Sequence, residues 1–389
     1  MIPRIITKKV LQLASLFPVI SVTGPRQSGK TTLVKSAFPK HKYVTLEDPD
    51  TRMIALNDPR KFLQGHKTGL IIDEAQRAPE LFSYIQGVVD QSNKEGEFVL
   101  TGSQNFLLFE KISQSLAGRV AIIKLLPFSL TELRGAGIGT KDIDKLIFDG
   151  MYPRIYDKKI SPLDFYPFYI QTYVERDVKL IKNIVNQSTF IKFMKMCAGR
   201  TGQLLNVSEL ANSCGITQVT VNSWLSILQA SYIVYLLQPH HKNFNKRLVK
   251  MPKLYFYDTG LACSLLGIRA QLQLPMHFIY GGLFENFIIN ELIKNTLNKG
   301  SIPEYYFWRD KTGKEIDVIV DKGSELISIE IKAGRTFSTD YLKNLKYWSK
   351  LSEKNLESSY LIYGGDNSFE TDKYKVLSWK DIDQIFNEL

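Results

Sequence analysis

The chain has 389 residues, too long for one ordinary core, so two or three domains are expected. Hydrophobic residues make up 44% and charged residues 23%, as in globular chains, and no apolar run approaches the roughly 20 residues that cross a bilayer, so no membrane partner is expected. The net charge of +11 favours a polyanionic partner such as nucleic acid, although solubility alone also accounts for it.

The opening, MIPRIITKKVLQLASLFPVI, is basic and then apolar, but it runs into the first strand without a small-residue cleavage site. A signal peptide is therefore not expected. Cys197, Cys214 and Cys263 show no C-x-x-C or Cys/His spacing and read as buried or half-buried thiols of a reducing compartment, so a cytoplasmic location is expected. The histidines form no metal set, and His240 and His241 fall in a basic loop.

Residues 1–135 alternate strand and helix patterns, which predicts a parallel sheet covered on both faces. The strands expected are Val19–Thr23, His41–Leu46, Leu70–Asp73, Glu97–Thr101 and Arg119–Leu125. After the first comes Gly24-Pro25-Arg26-Gln27-Ser28-Gly29-Lys30-Thr31, followed by Thr32, which fits G-x-x-x-x-G-K-[ST]. Wrapping phosphate oxygens in successive backbone N–H groups demands glycine where a Cβ would block the approach. A helix beginning near Lys30 adds its positive end. Lys30 would reach the β- and γ-phosphates of ATP, and the Thr31 hydroxyl would hold Mg²⁺. The apolar run Leu70-Ile71-Ile72 then ends in Asp73-Glu74. Asp73 would complete the Mg²⁺ shell and Glu74 would polarise the attacking water. Beyond the strand ending at Thr101, Ser103 or Gln104 could sense the γ-phosphate. For Arg119 two roles stay open: reaching transition-state charge, in cis or from a neighbour, or a structural salt bridge.

Residues 136–200 read as a mostly helical lid or connector, with a turn at Gly150–Arg154 and a helix over Asp164–Lys182 whose Glu175, Arg176 and Asp177 form a solvated face. Residues 201–260 read as a winged helix. A short helix capped by Ser208, a turn at Gly215 and a helix from Thr217 to about Gln229 bury Leu210, Ala211, Val221, Leu225 and Leu228. Strands Ser231–Gln238 and Lys253–Tyr257 make the wing, and Lys242, Lys246, Arg247 and Lys250 between them could track a phosphate backbone. Such modules also serve as plain protein-binding units.

Residues 261–389 begin with an amphipathic helix, Gly282–Leu297, carrying Glu285. Strands follow at Tyr305–Arg309, Glu315–Val320 and Leu326–Lys332. Glu330 and Lys332 share a face, and Asp317 can meet them across the pair. Glu285, Asp317 and Glu330 would bind Mg²⁺ and, with Lys332, activate a water for phosphodiester hydrolysis. The plainer reading is a cross-strand salt bridge on an ordinary sheet.

With these residues in view, the whole chain resembles a widespread prokaryotic group of AAA-type ATPases with a C-terminal domain of undefined function. The resemblance rests on GPRQSGKT, LIIDEAQ, VLTGS, LLPFSLTEL, TGQLLNVSELA, KLYFYDTGLA and LFENFIINEL, and on YFWRD, EIDVIV and IEIKAG. The last four stretches also resemble the PD-(D/E)XK nuclease fold, at Glu285, Asp317, Glu330 and Lys332. The resemblance implies a P-loop ATPase core, a winged helix and a restriction-endonuclease-like α/β domain. It departs from the usual AAA pattern in showing no second arginine sensor in the lid region. Three activities follow as expectations: a Mg²⁺-dependent ATPase coupled to nucleic acid, the same with metal-dependent DNA cleavage by Asp317, Glu330 and Lys332, or an ATP-switched scaffold whose nuclease-like fold only grips DNA or a protein partner.

Overall fold

A computed structural model of the chain describes residues 2–64, 68–102, 115–174, 186–240, 249–323, 325–352, 359–371 and 374–388. Ser103, Gln104, Glu175, Arg176, Asp177, His241, Lys242, Lys246 and Arg247 lie outside the described residues. None of the described helices is long and apolar enough to cross a membrane.

The first sheet contains β1 (Val19–Thr23), β2 (Lys42–Thr45), β3 (Leu70–Asp73), β4 (Phe98–Gly102) and β5 (Val120–Lys124) in the order β2-β3-β4-β1-β5, all parallel. Its strands are apolar on both faces, as a doubly covered parallel sheet requires. Successive residues enter different cores. Val19, Leu70, Ile72 and Leu100 pack beneath the helix Leu81–Ser92, while Ile20, Val22, Ile71 and Val99 pack beneath Thr7–Ala14 and Lys30–Ala37. The strand β1 lies between β4 and β5, so the loop that follows it emerges at the sheet's C-terminal edge between those two strands.

Short helices at Ile143–Asp149, Pro153–Asp157, Pro162–Tyr173 and Gln187–Ala198 lead away from this sheet. The helix Val207–Cys214 is capped by Asn206, whose side chain accepts from Glu209 N, and not by Ser208. Gly215 (φ 68°) makes the turn, and Thr217 caps Gln218–Ala230. Leu210, Ala211, Val221, Leu225 and Leu228 are all buried.

The hairpin β6 (Val234–Pro239) and β7 (Lys253–Phe256) follows, three residues later at its start than expected from Ser231, because Tyr232 takes a left-handed conformation (φ 57°). The hairpin is not a free-standing wing. Gln238 and Pro239 pair in parallel with Tyr306 and Phe307, which joins it to β8 (Tyr305–Arg309). An eight-stranded mixed sheet results, in the order β12-β13-β11-β10-β9-β8-β6-β7. The remaining strands are β9 (Glu315–Asp321), β10 (Leu326–Lys332), β11 (Ser359–Tyr363), β12 (Phe369–Glu370) and β13 (Lys375–Ser378). The expected boundary near residue 260 thus runs through one sheet. His240 is not in an open loop but buried at the end of β6, with Nε2 3.0 Å from Asp321.

The helix Tyr280–Asn298 packs on β10 and ties the two halves together. Its Glu291 accepts from Leu130 N at 2.7 Å, and its Lys294 donates to Phe128 O at 2.8 Å. The buried carboxylate of Asp258 makes another tie by accepting from Met151 N (2.7 Å), Leu261 N (2.9 Å) and the Tyr166 hydroxyl (2.7 Å). Burial raises its pKa, and these three donors oppose that rise in part.

Candidate functional site: a nucleotide cradle and a C-terminal charge cluster

The loop after β1 has the backbone that phosphate binding needs. Gly24 (φ 148°) and Gly29 (φ 92°) hold conformations other residues avoid, and a Cβ on Gly24 would lie 2.1 Å from the Leu125 carbonyl oxygen. Gly29 precedes the helix Lys30–Ala37, so the N-terminal end of that helix opens onto the loop. Lys30 is buried, and its ammonium donates to the carbonyls of Gly24 (2.9 Å) and Pro25 (2.7 Å).

The two halves of the predicted Mg²⁺ site meet. Thr31 Oγ1 donates to Asp73 Oδ2 at 2.9 Å across adjoining elements. Tyr43 and Thr101 also donate to this carboxylate, which fixes it at the end of β3. Burial first, then the bond to Asp73, raises the Tyr43 pKa, so its hydroxyl remains a donor. Glu74 sits just beyond in a left-handed conformation (φ 56°) and accepts from Gln76. Arg26, Gln27, Gly29, Lys30, Thr31, Thr32, Asp73 and Glu74 line one cavity of about 790 Å³, and Pro25 and Ser28 lie in the loop behind it.

The far wall of this cavity went unread in the sequence. Arg154, Asp157 and Lys158 reach it from the helix Pro153–Asp157 and its end, and Tyr169, Thr172 and Tyr173 from the helix Pro162–Tyr173. The stretch Gly150–Arg154, expected as a turn, therefore starts a helix. Proline at its first position was the available signal. Arg154 is exposed towards the cavity and makes no ion pair with a described carboxylate.

Arg4 is a second residue without a motif to announce it. Its guanidinium donates to Ser28 O (2.7 Å), Leu126 O (2.7 Å) and Glu132 Oε1 (3.0 Å), and it lies 4.9 Å from the Phe128 ring centre. Glu132 is itself fixed by a capping box with Ser129 and by Ile5 N. One side chain thus ties the back of the loop to the segment after β5.

Arg119 is placed elsewhere. It precedes Val120, which pairs with Val19 at the start of β1, so it stands at the edge opposite the loop. The length of β1 puts it about 16 Å away along the strand. Its guanidinium grips Asp90 in bidentate fashion, at 2.5 and 3.0 Å. That bond lowers the Asp90 pKa and raises that of Arg119. This position does not suit action in cis on a nucleotide at this loop, and within the chain Arg119 forms the salt bridge with Asp90.

The C-terminal sheet gathers Glu285, Asp317, Glu330 and Lys332 as expected, but around ammonium groups. Lys332 Nζ lies 2.7 Å from Glu330 and 3.5 Å from Asp317. Lys253, on β7, was not foreseen. Its Nζ lies 2.9 Å from Glu285, 2.5 Å from Glu315 and 3.8 Å from Asp317. Among the described residues no group of three or more His, Cys, Asp or Glu is set to hold a metal ion. Lys253 stands between Glu285 and Asp317, and Lys332 between Asp317 and Glu330, within the expected ligand set. Burial opposes the charge of Lys253, but attraction to Glu285, Asp317 and Glu315 outweighs it and raises its pKa. The Glu285 carboxyl is pushed up to about 7, chiefly by burial. Glu330 is pushed up to about 8, by burial and then by Asp317.

This loop, carboxylate pair and sheet order define an AAA-type P-loop ATPase core, and comparison with known proteins agrees. Residues 16–134 match the family described as an AAA domain. Residues 140–272 and 280–382 match two families, each described as a domain of unknown function. An uncharacterised protein of Mycobacterium tuberculosis is 30% identical over 357 residues, covering 90% of this chain and 78% of that protein. An uncharacterised protein of Mycobacterium bovis matches to the same extent. The chain belongs to the family of these mycobacterial proteins. Among solved structures, a Walker-type ATPase of Pyrococcus abyssi is similar at 12% identity and TM-score 0.43, over 67% of this chain and 94% of that one. The Thermotoga maritima RuvB Holliday junction branch migration motor is similar at 18% identity and TM-score 0.31, over 60% of this chain and 89% of that one.

Two outcomes follow. Arg4→Met removes three donors behind the loop, so titration with a fluorescent ATP analogue is expected to show affinity lowered by about tenfold. Glu330 has a folded pKa of about 8, above its ordinary 4.5, so its contribution to stability is full at low pH and is lost as pH rises through about 8. Melting curves between pH 5 and 9 should therefore show a downward slope that Glu330→Gln, permanently neutral, flattens.

Proposed function

We propose that this protein binds and hydrolyses Mg²⁺-ATP and couples that cycle to DNA. The observation that carries the first part is the Thr31–Asp73 bond at 2.9 Å beside a glycine cradle and a helix N-terminus. These residues fit the nucleotide's needs. Backbone N–H groups of the loop would hold the β-phosphate, Lys30 would leave its two carbonyls for the γ-phosphate, and Thr31 and Asp73 would hold the metal. Mg²⁺ held by Thr31 and Asp73 would supply charge neutralisation for phosphoryl transfer. Glu74 orients and polarises the attacking water, held in place by Gln76. Arg154, facing the loop across the cavity, fills the role of the lid arginine.

Support for DNA comes from the net charge of +11 and from the helix pair Val207–Cys214 and Gln218–Ala230. The second helix exposes Gln218, Asn222 and Ser226, side chains that can pair with base edges, and it has no lysine or arginine of its own. Phosphate contacts therefore fall to neighbouring basic residues, Lys250 among them. The lysines set among the C-terminal carboxylates favour a sheet that does not cut nucleic acid.

Lys30→Ala should lower ATP turnover at least about 100-fold without changing the fold, as read by phosphate release and circular dichroism. Turnover that survives this change would overturn the ATPase reading. DNA coupling is checked by fluorescence anisotropy of labelled duplex and single-stranded DNA with ATP or ADP. The expected result is an affinity that differs between the nucleotides and weakens with salt, and equal signals near background would overturn it. Plasmid incubated with Mg²⁺ or Mn²⁺ should stay uncut; nicking that Lys332→Ala abolishes would instead establish a nuclease.

A further inference from the structure

We infer that Lys253 is the resident cation of the C-terminal carboxylate cluster, and that the cluster is a metal-independent ionic lock holding the hairpin β6–β7 to the sheet. The inference goes beyond the ATPase and DNA reading and holds whether or not the core hydrolyses nucleotide.

Burial makes the first argument. The Lys253 side chain is 2% exposed and those of Glu285, Glu315 and Asp317 are 14%, 16% and 7% exposed. An ammonium in such a place persists only if carboxylates surround it, and these carboxylates persist only if a cation does. Contacts of 2.5 and 2.9 Å to Glu315 and Glu285 are those of charge-assisted hydrogen bonds. The ammonium therefore stands where an ion shared by Glu285, Glu315 and Asp317 would have to lie, and the two cannot share the space.

Lone pairs make the second. Glu285 Oε1 takes the Lys253 ammonium and the Tyr255 hydroxyl, from side chains two apart on β7 and hence on one face. Glu315 divides its oxygens between Lys253 and Arg309, the latter at 2.9 Å. Asp317 Oδ1 faces Lys253, while Oδ2 accepts from Ile331 N at 2.8 Å and faces Lys332. Glu330 Oε1 accepts from Asn344 at 3.0 Å and from Lys332. Four carboxylates thus meet three cations, and Glu330 Oε2, buried and without a hydrogen-bond partner, is left over. The groups supplied by β7 come from outside the strands that carry the acids, so the same contacts that neutralise the acids fix the hairpin.

The test uses full-length protein without nucleotide. Mn²⁺ titration followed by electron paramagnetic resonance compares the wild-type chain with Asp317→Asn. Superimposable isotherms are expected; a class of Mn²⁺ sites present in the wild type and missing in Asp317→Asn would overturn the inference. In parallel, melting in EDTA compares the wild-type chain with Lys253→Met, which keeps the length and loses the charge. A midpoint lowered by about 10 °C, or a variant that cannot fold, is the expected result. A variant melting with the wild type would overturn the lock. Phosphate release by the wild-type sample, measured separately, keeps a failure of the ATPase reading distinct from a failure of this one.

Discussion

A phosphate-binding loop has to leave its backbone N–H groups unspent, and that constraint shapes much of the first domain. A loop with free donors cannot be rigid on its own account, because its stiffness has to come from its carbonyls. Arg4 provides it by taking Ser28 O from behind, and Lys30 takes Gly24 O and Pro25 O from the front. Arg4 is in turn held by Glu132, whose position depends on the capping box at Ser129. The chain's first residues and the segment after β5 are thus part of the loop's support, though neither touches the cavity. The tight passage of Gly24 under Leu125 O completes the arrangement.

The two charged centres of the molecule are built on opposite principles. At Asp73 the carboxylate is buried among neutral donors, the hydroxyls of Thr31, Tyr43 and Thr101. Its charge is oriented but not neutralised, which is what a cation-binding group requires. At Glu285, Glu315 and Asp317 the carboxylates instead share the ammonium of Lys253. Similar residue types at comparable burial therefore have different chemical potential. The difference comes from what the neighbouring strands contribute.

Much of the first centre was legible because its signals are local. Glycines, Lys30 and Thr31 lie within one short stretch, and β3 announces Asp73 by an apolar run ending in acid. The alternation of strands and helices gave the parallel sheet. Other features depend on long-range contact and leave no spacing to read. Arg4 meets Glu132 across 128 positions, and Lys253 meets Glu285 across 32. Arg119 was ambiguous for the same reason, since only the register of β5 with β1 puts it at the edge opposite the chain's own loop. The two strands were legible but their place in the larger sheet was not, because pairing of Gln238 and Pro239 with Tyr306 and Phe307 has no trace in either stretch alone. Cys197, Cys214 and Cys263, expected to be at least half buried, are all buried free thiols.

That shared sheet bears on how the chain can be divided. The family matches stop at residue 272 and resume at residue 280, which places Lys253 and the acids it serves in different segments. A fragment beginning near residue 280 would have Glu285, Glu315 and Asp317 buried without their ammonium, and would bare the edge of β8 where β6 now lies. An exposed edge is a template for any other strand, and the nearest complement is the missing hairpin itself. The sheet therefore crosses the limit between the two matched segments, and the ammonium and its acids lie on opposite sides of that limit.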